Sequence, residues 1–305
     1  MKIFCKKQTI ILCLAVTMTA WFVTGCNSSS TSTAQPTAKE NNQAQPNTGG
    51  NNGNGNTLEE IKSRGKVVVG TEAAFEPFEF IQDGKIVGYG SDILAVVVKD
   101  LGVKLEQLDL PFQGILPGLD AKKFDFVATS VSITPERAQK YAFTVPIGDG
   151  TLAIMKRKGD NSIKKPEDII GKVVGTQLGS GQLKGLKKFN NDLKASKGQG
   201  AKQIKEYVAY PEAYQELANG RIDAVVNTKA NLSTILKKNP DTFELVGTFG
   251  EPMWLSWVVR KGDDQLLEFL NKEILKLRDS GKLQEMQMKW FGFKMDIPDS
   301  GYLPK

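Results

Sequence analysis

The chain has 305 residues, 40% hydrophobic and 24% charged, a globular composition with room for one large or two medium domains. Histidine is absent and the three cysteines, Cys5, Cys13 and Cys26, all precede residue 57, which excludes Ser-His-Asp and Cys-His nucleophiles and His- or thiolate-based metal sites from the rest of the chain. The net charge is +6, but from Thr57 onward 36 basic residues face 33 acidic ones, dispersed along the chain, and leave no footprint for nucleic acid.

At the start, Lys2, Lys6 and Lys7 form a basic region ahead of an apolar run at 9–23. The run is too short for a membrane span, and basic-then-apolar order fits a secretion signal over 1–25. It ends in Val23-Thr24-Gly25-Cys26, which resembles the lipobox of bacterial lipoproteins and implies lipidation of Cys26 after cleavage. A plain signal and an uncleaved anchor are the alternatives. A mature chain would keep Cys26 alone, so no internal disulfide is expected. Residues 26–56 are almost purely Ser, Thr, Asn, Gln, Gly, Pro and Ala and read as a flexible tether.

The globular part starts near Leu58. A strand is expected at 66–70, a helix at 91–101 stopped by Gly102, a strand at 103–108, a short helix at 115–121 and a strand at 124–129. This rhythm implies a mostly parallel sheet with helices on both faces. It restarts with a strand at 171–177 feeding a Gly-rich turn, a helix at 182–191 and a strand at 205–210. A helix at 211–219, a strand at 223–228 and a helix at 229–238 follow. The extended segments 150–160 and 243–263 lie between the halves and suggest two strands crossing between lobes. Helices at 263–280 and 282–290 return to the first lobe, and the tail, with Ile297, Tyr302 and Leu303, is expected to strap over it. The expected organisation is α/β with two lobes: 57–150 with 251–305 as the first, 151–250 as the second.

One residue opposes its local surroundings. Thr134 and Pro135 suit the N-cap and first position of a helix, which places Arg137 in the first turn, where the helix dipole disfavours a cation. Either an ion pair with a neighbour such as Glu136 holds it, or it serves the carboxylate of a small molecule.

Seven blocks in order, VGTEAAFEPFEF (69–80), IVGYGSDIL (86–94), PFQGILPGLDAKKFD (111–125), TSVSITPERAQKYAFT (129–144), GKVVGTQLGSGQ (171–182), NGRIDAVV (219–226) and GKLQEMQMKWFG (281–292), resemble the type 3 extracellular solute-binding proteins of ABC importers. The resemblance spans about residues 58–293 and implies a periplasmic-binding-protein type II fold, two α/β lobes joined by a two-stranded hinge with the ligand in the cleft. It implies that Arg137 clamps the ligand's carboxylate, and a guanidinium fork suits a carboxylate. Ser130 and Ser132, two apart on the preceding strand, match positions that touch the carboxylate and ammonium, or else cap the next turn. Gly179, Ser180 and Gly181 lie in the second lobe's Gly-rich turn before a helix, where the resemblance implies backbone N–H groups that can hold an anion, although many family members carry Thr at the position of Gly181. Phe75 and Phe112 match the pair that sandwiches the side chain, with core packing as the alternative. Glu72 matches an acidic position facing a cationic ligand end or the ammonium.

Thr228 stands where the family commonly has the Asp that pairs the ammonium, so either Glu72 serves it alone or the ligand is not a standard amino acid. The resemblance implies a monomeric, lipid-anchored binding component on the extracytoplasmic face that feeds an ABC permease, without metal, cofactor or catalytic residues. Two other classes stay open: a dehydratase-like enzyme with Glu72 as general acid, and a sensory module that only reports ligand.

Overall fold

The computed structural model describes residues 56–304. The signal, Cys26 and the tether up to residue 55 lie outside the described residues.

Helix α1 (Thr57–Arg64) leads into β1 (Lys66–Thr71) and a small meander of β2 (Ala74–Phe75), β3 (Glu79–Gln82) and β4 (Lys85–Val87). Next come α2 (Tyr89–Leu101), β5 (Lys104–Asp109), α3 (Phe112–Asp120), β6 (Phe126–Ser132), α4 (Pro135–Lys140), β7 (Tyr141–Phe143) and β8 (Gly148–Asp149). The second run comprises β9 (Leu152–Arg157), β10 (Val173–Gln177), α5 (Gly181–Lys197), β11 (Gln203–Tyr207), α6 (Tyr210–Ala218), β12 (Ala224–Thr228), α7 (Lys229–Lys238) and β13 (Phe243–Phe249). The chain then returns through β14 (Trp254–Arg260), α8 (Asp264–Asp279) and α9 (Lys282–Trp290).

Two sheets of like topology result. The first has the order β5-β1-β6-β14-β7, with β8 also on β14; the second has β11-β10-β12-β9-β13. In each, three parallel strands are joined by antiparallel ones: β14 on β6 and β7, β9 on β12 and β13. The expectation of mostly parallel sheets therefore holds only for the half built from strand–helix–strand units. The central strand β6 is buried along its whole length, as a strand covered on both faces must be. Phe126 packs against Trp257 in the first core, and Leu152, Ile154, Val174, Leu186 and Val226 fill part of the second.

The crossovers are shorter than the sequence suggests, because β9 and β13 lie wholly in the second sheet and β14 in the first. Only the residues around Gly150 and 250–253 pass between sheets. Gly150 N–H donates to Met253 O at 2.7 Å, and a Cβ on Gly150 would lie 3.0 Å from that oxygen, so the two crossings approach too closely for a side chain there.

Several boundaries move. The strand expected at 205–210 ends at Tyr207, because Pro211 in the first turn of α6 draws Tyr210 into the helix. The helix expected at 115–121 starts at Phe112, and α5 runs on to Lys197, where Gly198 in the left-handed conformation ends it. The tail is tied to the first lobe by Met295 N–H on Gln287 Oε1 at 2.9 Å and by half-buried Tyr302, but Leu303 is exposed.

Candidate functional site

In open α/β sheets ligands lie beyond the carboxyl ends of the strands. Here β1 ends at Thr71, just before Glu72, and β6 ends at Ser132; β10 ends at Gln177 and β12 at Thr228. The four strand ends face one another across the gap between the lobes, as the contacts below show.

Arg137 is held from behind by its own helix start. Thr134 Oγ1 accepts the Arg137 N–H at 3.4 Å, and Pro135 opens α4. The side chain is only 7% exposed. Nη1 donates to Ser132 O at 2.8 Å, and Nη2 donates across the gap to Gly179 O at 2.9 Å. The guanidinium lies 5.5 Å from the centre of the Phe112 ring. No carboxylate among the described residues forms an ion pair with it, and Glu136 pairs instead with Lys184 of the second lobe at 2.9 Å. Burial lowers the Arg137 pKa to about 10, so the group stays charged at neutral pH while lacking an anionic partner.

The second lobe's turn is shaped to meet it. Gly179 has φ +74°, where a side chain is strained, and its carbonyl points at Arg137. Ser180 caps α5: its Oγ accepts Leu183 N–H at 3.0 Å and donates to Gln177 O at 2.8 Å. A Cβ on Gly181 would lie 2.4 Å from Ser132 Cβ, so Ser132 fills the space that a side chain at this position would need.

Glu72 is 3% exposed. Its Oε1 accepts a short hydrogen bond from Gln177 Nε2 of the second lobe, and that nitrogen also donates to Val208 O at 3.2 Å. Burial, opposed by the Gln177 bond and aided by Asp109, pushes the Glu72 carboxyl up to about 8. Beside it lies a cavity of about 200 Å³ walled by Leu110, Pro111, Val208 and Ala209, with Asp109 also on its lining.

Phe75 does not stand alone. It stacks on Phe78 at 5.4 Å and reaches Tyr210 of the second lobe at 5.7 Å, and Tyr210 stacks on Tyr214 at 5.9 Å. This row of four rings bridges the lobes. Phe112, by contrast, packs on Arg137 and in the first lobe's smaller core.

Ser130 is turned inward. Its hydroxyl donates to Glu79 Oε1 at 3.0 Å, and Thr129 Oγ1 donates to Glu79 Oε2 at 3.2 Å. Glu79 is wholly buried, and burial raises its carboxyl to about 8. Thr228 is also wholly buried and caps α7: its Oγ1 accepts Asn231 N–H at 3.2 Å and is bonded to Asn231 Oδ1. Asn231 Nδ2 in turn donates across the gap to Glu76 O at 2.7 Å, and Lys238 pairs with the Glu76 carboxylate.

The gap thus gathers Arg137, Glu72, Phe75, Ser132, Gly179, Gly181 and, through Asn231, Thr228; it leaves the hydroxyls of Ser130 and Ser180 engaged within their own lobes. Gln177, Tyr210 and Asn231 were not singled out from the sequence. Their signal was available as position, since Gln177 ends a parallel strand and Tyr210 and Asn231 lie in the first turns of helices that follow such strands.

The model of bacterial extracellular solute-binding proteins, family 3, matches residues 67–293. The L-cystine-binding protein TcyJ of Escherichia coli K12 is 32% identical over 237 residues, 77% of this chain and 86% of that protein. An ancestral arginine-binding protein bound to arginine is 39% identical, with TM-score 0.67 over 75% of this chain and 99% of its own. An ancestral amino acid-binding protein, AncCDT-1, described as a precursor of cyclohexadienyl dehydratase, is 32% identical with TM-score 0.69, covering 77% of this chain and 99% of that one.

Proposed function

Because the chain belongs to the bacterial extracellular solute-binding proteins of family 3 and is a substrate-binding protein of an amino acid ABC transporter, we propose that it captures an amino acid between its lobes with Arg137 on the ligand's carboxylate. The observation that carries this reading is the buried Arg137 guanidinium, which meets two backbone carbonyls, one from each lobe, and no carboxylate among the described residues. A ligand carboxylate there supplies the missing anion in a fork that two parallel N–H groups complete. Glu72 faces the ammonium, Phe75 and Tyr210 shield the side chain, and the backbone of Gly179 to Gly181 completes the carboxylate side.

Closure follows from the same contacts. A ligand that touches both lobes binds the shut form better than the open one and shifts the population toward it, and the permease reads the shut form. Cys26 carries the lipid, and residues 27–56 tether the lobes to the membrane's outer face.

A thermal-shift screen of the whole chain against the amino acids and L-cystine tests the reading. A ligand at 100 times its Kd adds about 2.7 kcal/mol, a rise of roughly 5–10 °C for a protein of this size. No rise with any of them removes the proposal. A dehydratase-like reading has one observation in its favour, the raised Glu72 carboxyl. Formation of product from the bound ligand on long incubation would decide for it.

A further inference from the structure

The charges buried in the gap limit the ligand further. On the cationic side there is Arg137. On the anionic side, five carboxylates lie near the gap, and four are already committed or solvated. Glu136 is paired with Lys184 of the second lobe. Glu79 accepts from Thr129 and Ser130 inside the first lobe. Glu76 is paired with Lys238. Asp109 is exposed, accepts the Ala73 N–H at 2.9 Å, and sits where water screens any pairing. That leaves Glu72, buried and without a cationic partner among the described residues.

Glu72 itself is half engaged. Gln177 Nε2 donates to Oε1, and the same nitrogen reaches Val208 O, so the amide is fixed from the second lobe. One carboxylate oxygen remains free of protein donors. That suits an ammonium, a point donor, better than a guanidinium fork, which takes two oxygens side by side and would share Oε1 with Gln177. The facing strand end in the second lobe offers Thr228, whose hydroxyl is closed into the Asn231 cap, and Asn227, whose amide donates to Tyr214 Oη at 2.8 Å. Neither brings negative charge.

Resting on the amino acid reading above, we propose that the site takes a zwitterionic amino acid with an uncharged side chain, and that Gln177 and Thr228 are what refuse cationic ones. Arg137 meets the single carboxylate and Glu72 the single α-ammonium. A second cation would enter the gap with no buried anion to meet it, a costly arrangement. The rings of Phe75 and Tyr210 suit a neutral side chain.

Calorimetric titration of the whole chain tests this, using the amino acids with uncharged side chains, L-lysine and L-arginine as probes. At least one probe with an uncharged side chain should bind, with L-lysine and L-arginine at least about 100-fold weaker, the scale of an unpaired buried charge. Thr228→Asp keeps a good helix cap and adds a carboxylate at the gap. It should narrow the difference between L-lysine and the best neutral probe by at least about tenfold. Equal or tighter binding of L-lysine or L-arginine by the unaltered protein overturns this inference while leaving the amino acid reading intact. An unchanged gap in Thr228→Asp overturns the charge count behind it. Binding of none of the probes overturns the amino acid reading and this inference with it.

Discussion

Arg137→Met keeps an apolar stem against Phe112 and removes the charge, and its effects on binding and on stability should separate. For the fold, the terms nearly cancel. Burial lowers the Arg137 pKa from its ordinary 12.5 to about 10, which corresponds to roughly 3 kcal/mol against the charged form. Opposing this, two hydrogen bonds from the guanidinium to Ser132 O and Gly179 O are lost, each worth about 1.5–3 kcal/mol. The net change in unliganded stability should stay within about 3 kcal/mol, or about 10 °C in Tm at 2–4 °C per kcal/mol. For binding nothing cancels: a ligand carboxylate brought into the gap would lose its only buried cation, at a cost of about 3–5 kcal/mol, or a 100-fold to several-thousand-fold loss. Calorimetry measures the binding and a melting curve without ligand measures the fold. Unchanged affinity would remove Arg137 from the site. A Tm fall well beyond 10 °C would mean that the buried cation chiefly holds the lobes together.

Three further outcomes are expected. Gly181→Thr should weaken binding at least about tenfold, because its Cβ would lie 2.4 Å from Ser132 Cβ and keep the lobes apart; equal affinity, measured by calorimetry, would show that Ser132 yields. Glu72 and Glu79 are both raised to about 8, so their protonated forms favour the folded state fully below the unfolded value near 4.5 and lose that effect as pH climbs through 8. Unliganded stability, followed by denaturant melts, should therefore decline between pH 5 and about 8.5, while affinity for an ammonium-bearing ligand should rise over pH 6 to 8 as Glu72 gives up its proton; flat profiles contradict both. Lys238→Ala should change affinity less than about fivefold in the same titrations, since the Lys238 side chain of the rim pair with Glu76 is 55% exposed and surface pairs contribute little.

The fold was largely legible because its evidence is local. Apolar runs such as Val67-Val68-Val69, the stop at Gly102 and the Thr134–Pro135 helix start fix elements one at a time. Arg137 could be read for a related reason: a cation in a first helical turn conflicts with its own surroundings, and the conflict is visible in five residues. Gln177 shows no such conflict. It meets Glu72 across 105 positions of sequence, and nothing near either residue announces the other. Tyr210 reads as a strand end in the sequence, yet its ring lies on Phe75 only because two lobes meet. The length of the crossings is hidden for a similar reason, since an extended segment looks the same whether it crosses between sheets or completes one, and pairing alone decides that β9 belongs to the second. In the sequence Gly181 reads as a lost hydroxyl, whereas the structure leaves no room for a Cβ there beside Ser132.

A crystal structure of the protein grown with the amino acid that stabilises it best is the most direct measurement. The ligand's carboxylate should lie between the lobes with both oxygens about 2.7–3.0 Å from the Arg137 guanidinium. A ligand bound with its carboxylate elsewhere, while Arg137 still donates only to Ser132 O and Gly179 O, would contradict it.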